Sequence, residues 1–300
     1  MDVLQMCRPF HIPMSVPYLL RHARKHAFNG GRSACIAGLA HTASNSELHS
    51  LQHARKRQGQ RRDKAHFRMA AANSTGETSG KVFFFDIDNC LYPKSTGIYR
   101  EMGRKIHAYF KRLGFPDEEA TELHHRYYRT YGLALRGLVK HHDVDPMAYD
   151  REVDQALPLE QFLKPDPELR TMLETMQGVK KWAFTNAYEV HAGRVLKALG
   201  IEDQFAGLTF CDYATPNFPC KPEEVYYEQV MQAAGVTDPS KCYLVDDAAA
   251  NIDMAKKLGW TAVHVADDVS AEPKHGDFQI SHIHELQEVL PEFWPDGNVN

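Results

Sequence analysis

The sequence has no run approaching the roughly 18 uninterrupted apolar residues that cross a bilayer, so nothing in it reads as a transmembrane helix. Cysteine is sparse and unpaired: Cys7, Cys35, Cys90, Cys211, Cys220 and Cys242 never form a Cys-x-x-Cys spacing. That scatter argues against a zinc site or a disulfide framework and for reduced thiols. Acidic side chains are scarce in one region only. Residues 1–72 carry twelve Lys or Arg against three Asp or Glu, a formal +9 within a chain of net charge −4. The same stretch lacks a sustained apolar period and is rich in His, Ser, Ala and Gln, so residues 1–78 are expected to form a disordered leader.

The leader has three readings. It is an upstream extension dispensable to the folded protein, because a chain beginning at Met69 would carry every strand-end motif of the sequence. Alternatively, its Arg-rich, acid-poor character suits a transit peptide for a mitochondrion or plastid. In the third reading its clusters at Arg55–Arg57 and Arg61–Arg62 address a nucleus or contact nucleic acid. Without an organelle address, the expected location is the cytoplasm, with the nucleus reachable.

Beyond the leader the sequence has an ordinary globular character, and the whole chain has 43% apolar and 10% aromatic residues over 300 positions, enough for a sizeable core. Its most informative run is KVFFFDIDNCLYP over residues 81–93. A buried strand there would deliver Asp86 and Asp88, two residues apart, to its end and project them from one edge. Two adjacent carboxylates repel unless a cation, a shared proton or open solvent relieves them, so a divalent metal is the natural partner. Three further apolar runs also end in polar residues: one in Thr185 and Asn186, one in Asp212 with Lys221 beyond it, and one in Asp246 and Asp247. From residue 178 on, strands alternate with helices near 189–199, 222–234 and 248–258, each followed by Gly200, Gly235 or Gly259. Such alternation builds a parallel sheet covered by helices on both faces, with ligands bound beyond the carboxyl ends of the strands.

Asp86-Ile-Asp88-Asn-Cys90, Thr185-Asn186, Lys221-Pro222 and Asp246-Asp247 together resemble the four ordered motifs of the haloacid dehalogenase-like phosphohydrolases, over about residues 81–268. The run DIDNCLYP, then YGLALRG at 131–137 and TNA at 185–187, is similar to the pyrimidine 5'-nucleotidase-like branch of that superfamily. The resemblance implies a Rossmann-like α/β core over residues 79–96 and 167–290, with a helical cap domain inserted at 97–166. A stripe of Met102, Ile106, Tyr109, Phe110 and Leu113 at helical spacing fits the insertion, as do the breaks at Pro116, Pro146 and Pro158.

It also implies a set of roles. Asp86 would be the nucleophile that forms an aspartyl-phosphate, and Asp88 the general acid and then base. Mg2+ would be held by Asp86, the backbone carbonyl of Asp88, Asp247 and Asp246, with either member of the last pair the direct ligand. Lys221, Thr185 and Asn186 would bind the phosphate. Asn251 would support the Asp246 loop or cap a helix. Cys90 stands where a threonine is more frequent. Tyr92 beside the catalytic loop, with Tyr131 and Arg136 among the cap residues Tyr127, Tyr128, His141 and His142, would select the leaving group. The expected activity is hydrolysis of a small phosphate monoester, foremost a pyrimidine nucleoside 5'-monophosphate. A sugar phosphate or phosphoglycolate is the alternative substrate, and a non-catalytic phosphate sensor the alternative function. A dehalogenase would need neither Asp88 nor the metal pair. The partner expected is thus a small phosphate monoester and not a nucleic-acid polymer or a membrane.

Overall fold

Lys81–Phe85, whose last four residues, Val82 to Phe85, have high strand propensity, form β1 and lie at the centre of a sheet. In this computed structural model, which describes residues 80–294, β1 is flanked by β2 (Val179–Phe184) and β4 (Cys242–Asp246). Outside these come β3 (Gly207–Thr209) beside β2, and β5 (Thr261–Val265) followed by β6 (Phe278–Ile280) beside β4. The order is β3-β2-β1-β4-β5-β6 and every pair is parallel, so the expected Rossmann-like α/β core is what the chain forms. The basic leader, residues 1–78, lies outside the described residues.

The period of two along β1 divides its side chains between the two faces. Phe83 and Phe85 pack with Val195, Leu196 and Leu169, while Val82 and Phe84 pack with Tyr227, Ile252 and Trp260. The first face is covered by α4 (Pro167–Thr175) and α5 (Glu189–Leu199), the second by α6 (Glu224–Ala234) and α7 (Ala249–Lys257). Phe83, Phe84 and Phe85 are fully buried. Truncating any of them to Ala would cost about 3–5 kcal/mol by analogy with other cores.

Between β1 and β2 the chain is helical, as its spacing predicts: α1 (Ile98–Arg112), α2 (Asp117–Tyr131) and α3 (Ala134–His141) come first. Short turns at Pro146–Tyr149, Asp150–Asp154 and Leu159–Phe162 follow, the second of them π-helical. Pro116 precedes α2 and Pro146 opens its turn, where a missing N–H costs nothing. The α1 stripe buries Ile106, Tyr109 and Phe110, in one apolar cluster with Val82 and Phe84 of β1. Gly132 ends α2 with φ of +74° and lies so close to the Lys221 loop that a Cβ would meet the Lys221 carbonyl oxygen at 2.0 Å. Glycine is therefore required there twice over, by φ and by space.

Candidate active site

Because β1 lies between β2 and β4, three strand ends open beside one another. The Asp86 amide donates to the Val245 carbonyl (3.0 Å), continuing the ladder by one residue, so Asp86 stands level with Asp246. The Thr185 amide likewise donates to Thr209 O (3.0 Å), which sets Thr185 on the other flank. Beyond Asp86 the chain turns sharply, with Asn89 at φ of 61°, a left-handed position that Asn tolerates. Ile87, fully buried, anchors that turn.

Lys221 is the hub. Its Nζ donates to Asp86 Oδ1 (2.8 Å), to Asp246 Oδ2 (2.6 Å) and to the Phe184 carbonyl (2.7 Å), and only 1% of the residue is exposed. Asn186 fixes the backbone that carries it: its Oδ1 accepts from the Lys221 amide (2.7 Å), and its Nδ2 donates to Lys221 O (2.9 Å) and Gly132 O (3.2 Å). The Asn186 side chain thus ties the Lys221 loop to the end of α2. Thr185 is buried and its Oγ1 accepts from the Ala187 amide (3.0 Å). Asn251 donates to both Asp246 oxygens (2.9 and 3.0 Å), so it supports that carboxylate. Cys90 directs its thiol to Val245 O at 3.6 Å.

Oxygens of Asp86, Asp246 and Asp247 lie within 4.8 Å of one another. Burial, with the neighbouring Asp246 and Asp247 charges, pushes the Asp86 carboxyl well above its ordinary range although Lys221 opposes it. Burial and the Asp246 charge raise Asp247 to about 7, against Lys94 at 3.4 Å. For Lys221 the charges of Asp246 and Asp86 outweigh the burial that opposes them and raise its affinity for the proton. Three carboxylates against one buried ammonium leave an excess of negative charge that a small hard cation would relieve.

Asp88 lies apart from this cluster. Its Oδ1 accepts from Tyr92 Oη (2.5 Å) and from His191 Nε2 (2.8 Å). Burial works to raise the Asp88 carboxyl, but the charge and hydrogen bond of His191, with the Tyr92 hydroxyl, hold it below the ordinary value. Burial works to lower His191, yet Asp88 and then Asp154 outweigh it and raise the imidazole to about 9.

A cavity of about 390 Å³ extends from these groups into the helical insertion. Asp86, Asp88, Thr185, Asn186, Lys221 and Asp247 line its floor, and Tyr99, His124, His125 and Tyr128 of α1 and α2 contribute to its wall. The His124 and His125 rings stack at 5.1 Å and 7°. Burial, then the nearby His125 and His107 charges, lower His124 to about 4, so it is neutral at pH 7.

The structure therefore brings Asp86, Asp88, Thr185, Asn186, Lys221, Asp246 and Asp247 together, with Tyr92 beside them. It does not bring Arg136 and Tyr131 to this cavity. Arg136 is buried and donates through Nε to Glu223 Oε1 (2.8 Å), and Tyr131 pairs its hydroxyl with His141 Nε2 (2.6 Å). Both make their contacts among α2, α3 and the Glu223 loop and not with the cavity floor, with Arg136 Nη1 unpartnered among the described residues. Sequence reasoning missed His191 and the stacked His124–His125 pair. The only local signal for His191 is its place in the first turn after Thr185-Asn186.

Residues 81–259 match the haloacid dehalogenase-like hydrolase family. Phosphate metabolism protein 8 of Saccharomyces cerevisiae is 38% identical over 207 residues, covering 65% of this chain and 64% of the yeast protein. The match thus spans just under two thirds of that relative. Among solved structures, a HAD phosphatase from Thermococcus onnurineus is similar at 21% identity and a TM-score of 0.47, over 70% of this chain and 97% of its own. L-2-haloacid dehalogenase from Xanthobacter autotrophicus is similar at 16% identity and a TM-score of 0.48, over 70% and 98%.

Proposed function

The chain belongs to the haloacid dehalogenase-like hydrolases, and on that premise we propose that it is a magnesium-dependent phosphatase of small phosphate monoesters. The observation that carries the proposal is the bridge from Lys221 Nζ to Asp86 and Asp246, beside Asp247 and beneath a cavity into which Asp88 opens. Asp86 attacks phosphorus, the bond from phosphorus to the ester oxygen breaks, and that oxygen leaves with a proton from Asp88. Water then attacks the aspartyl-phosphate, Asp88 takes its proton, and inorganic phosphate departs with Asp86 restored. Asp88 begins below its ordinary pKa, but an arriving phosphate sets like charge beside it and raises its affinity for the proton. Lys221 and the Thr185–Asn186 segment offset the charge of the phosphoryl oxygens.

Mg2+ fits the donor set because all three clustered groups are hard carboxylates. Asp86, Asp247 and the Asp88 carbonyl would hold it. Asp246 is engaged by Lys221, Asn251 and the Ala248 amide, which leaves Asp247 the freer ligand of that pair. When bound, the ion polarises the phosphoryl group and neutralises its charge.

The cavity suits a nucleoside 5'-monophosphate, the substrate we propose. Its volume falls within the roughly 300–1,000 Å³ of small-molecule sites, and Tyr99, His124, His125 and Tyr128 offer flat ring surface to a base. The name of the yeast relative is compatible with phosphate chemistry. The test is phosphate release across pyrimidine and purine nucleotides, sugar phosphates and phosphoglycolate, with Mg2+ and with excess EDTA. Metal-dependent release with a nucleotide as best substrate supports the proposal, whereas release undiminished in EDTA overturns the metal role. A preference for phosphoglycolate overturns the substrate.

A further inference from the structure

We propose that His191 and Tyr92 are positioning residues that clamp one oxygen of Asp88, so that its other oxygen faces the ester oxygen of the substrate. The inference rests on the phosphatase reading and adds to it a support for the general acid. Both hydrogen bonds fall on the same atom: Tyr92 Oη and His191 Nε2 reach Asp88 Oδ1 from different elements, at 2.5 and 2.8 Å. Oδ2 is left for the cavity. A carboxylate rotates over a broad torsional well, and two donors converging on one oxygen select a single orientation within it.

The burial of the three groups agrees with this division of labour. His191 is fully buried on α5 and Tyr92 nearly so, whereas 26% of the Asp88 side chain is open. The His191 side of the clamp is thus set in the core, while Tyr92 and the clamped Asp88 line the cavity. His191 Nδ1 has no hydrogen-bond partner among the described residues, so half of the ring's polar capacity is unused although the Asp154 carboxylate acts on it electrostatically. An aliphatic side chain would fill that space without the penalty of an unpartnered nitrogen, which points to the Nε2 contact as the reason for histidine. Ala192, Val195 and Leu196 on the same helix pack in the core and hold α5, and with it the ring, in place.

The test uses leaving groups that differ in their need for a proton. An alkoxide such as the 5'-oxygen of a nucleoside must be protonated as it departs, while p-nitrophenolate leaves without help. Because kcat/KM covers only the steps through departure of the leaving group, the later hydrolysis of the aspartyl-phosphate does not obscure the comparison. His191→Leu should lower kcat/KM for a nucleoside 5'-monophosphate by a factor on the order of 10 to 10², the size of loss expected when a catalytic group is misplaced. For p-nitrophenyl phosphate the loss should be several-fold smaller. His191→Gln, whose Nε2 can reach the same oxygen, should recover most of the nucleotide activity. Tyr92→Phe, which removes one oxygen atom and serves if the Leu variant does not fold, should show the same split at smaller size. Equal losses for both substrates, or a Gln variant as impaired as Leu, would overturn the clamp. Failure of the wild-type protein to hydrolyse either ester with Mg2+ would instead overturn the phosphatase reading itself.

Discussion

Lys221 Nζ lies 2.6 Å from Asp246 Oδ2, an ion pair in which neither side chain is more than 1% exposed. Removing one partner from such a pair leaves a charge that nothing solvates. Lys221→Ala should therefore abolish most activity, with kcat reduced by about 10² or more, since the charge proposed to stabilise the phosphoryl group is lost. It should also destabilise the metal-free protein by about 3–5 kcal/mol. Urea unfolding with and without Mg2+ checks this, and the variant should regain more stability from the ion than wild type does.

Arg136 offers a contrast. It is buried against Glu223 and does not line the cavity, so Arg136→Ala should cost stability of about 1–3 kcal/mol. Its effect on kcat/KM should be similar for a nucleotide and for p-nitrophenyl phosphate. A selective loss with the nucleotide would show that Arg136 reaches the substrate.

Choice of the leaving group should instead follow the wall formed by α1 and α2. His124→Ala removes a neutral ring stacked on His125 and should lower kcat/KM for nucleotides by about 2- to 10-fold, the equivalent of roughly 0.5–1.5 kcal/mol for an aromatic contact. Glycerol phosphate, which has no ring, should be turned over as before. Competition between the two substrates measures this directly.

Asp247 should contribute a pH dependence to the proposed binding of Mg2+. Its folded value, about 7, lies above its ordinary 3.8, so the folded, metal-free chain binds the proton more tightly than the unfolded chain. Its contribution is thus a loss of stability as pH rises from about 4 through 7, where the unfolded carboxylate ionises freely. Binding of Mg2+ requires the ionised form and should weaken as pH falls below about 7. Titration of Mg2+ by calorimetry at about pH 5.5 and 7.5 should show tighter binding at the higher pH, and Asp247→Asn should weaken binding and reduce that difference.

The parts of the site that sequence made legible are those carried by local pattern. The apolar run of β1 places Asp86 at a strand end, β4 does the same for Asp246, and glycines follow α5, α6 and α7 where helices were expected to stop. The alternation of strands and helices makes the sheet parallel, but that β1 lies between β2 and β4 is seen only in the pairing. What escaped depends on pairing across long separations. Arg136 finds Glu223 from 87 residues away, and His191 finds Asp88 from 103. An Arg among tyrosines invites assignment to substrate, and only the fold reveals that a carboxylate already holds it. His191 is one of seventeen histidines, and no periodicity separates it from the others.

Everything proposed for this site turns on whether Asp86 forms a covalent bond to phosphorus. Wild-type protein turning over its best phosphate monoester with Mg2+ should be quenched in acid, digested, and the peptide bearing residues 81–93 examined by mass spectrometry. A phosphoryl group is expected on Asp86 and none in Asp86→Asn, which should also release no phosphate while remaining folded. Turnover by the Asn variant at a rate near that of wild type, or a phosphoryl group found on a different residue, would contradict the covalent role of Asp86.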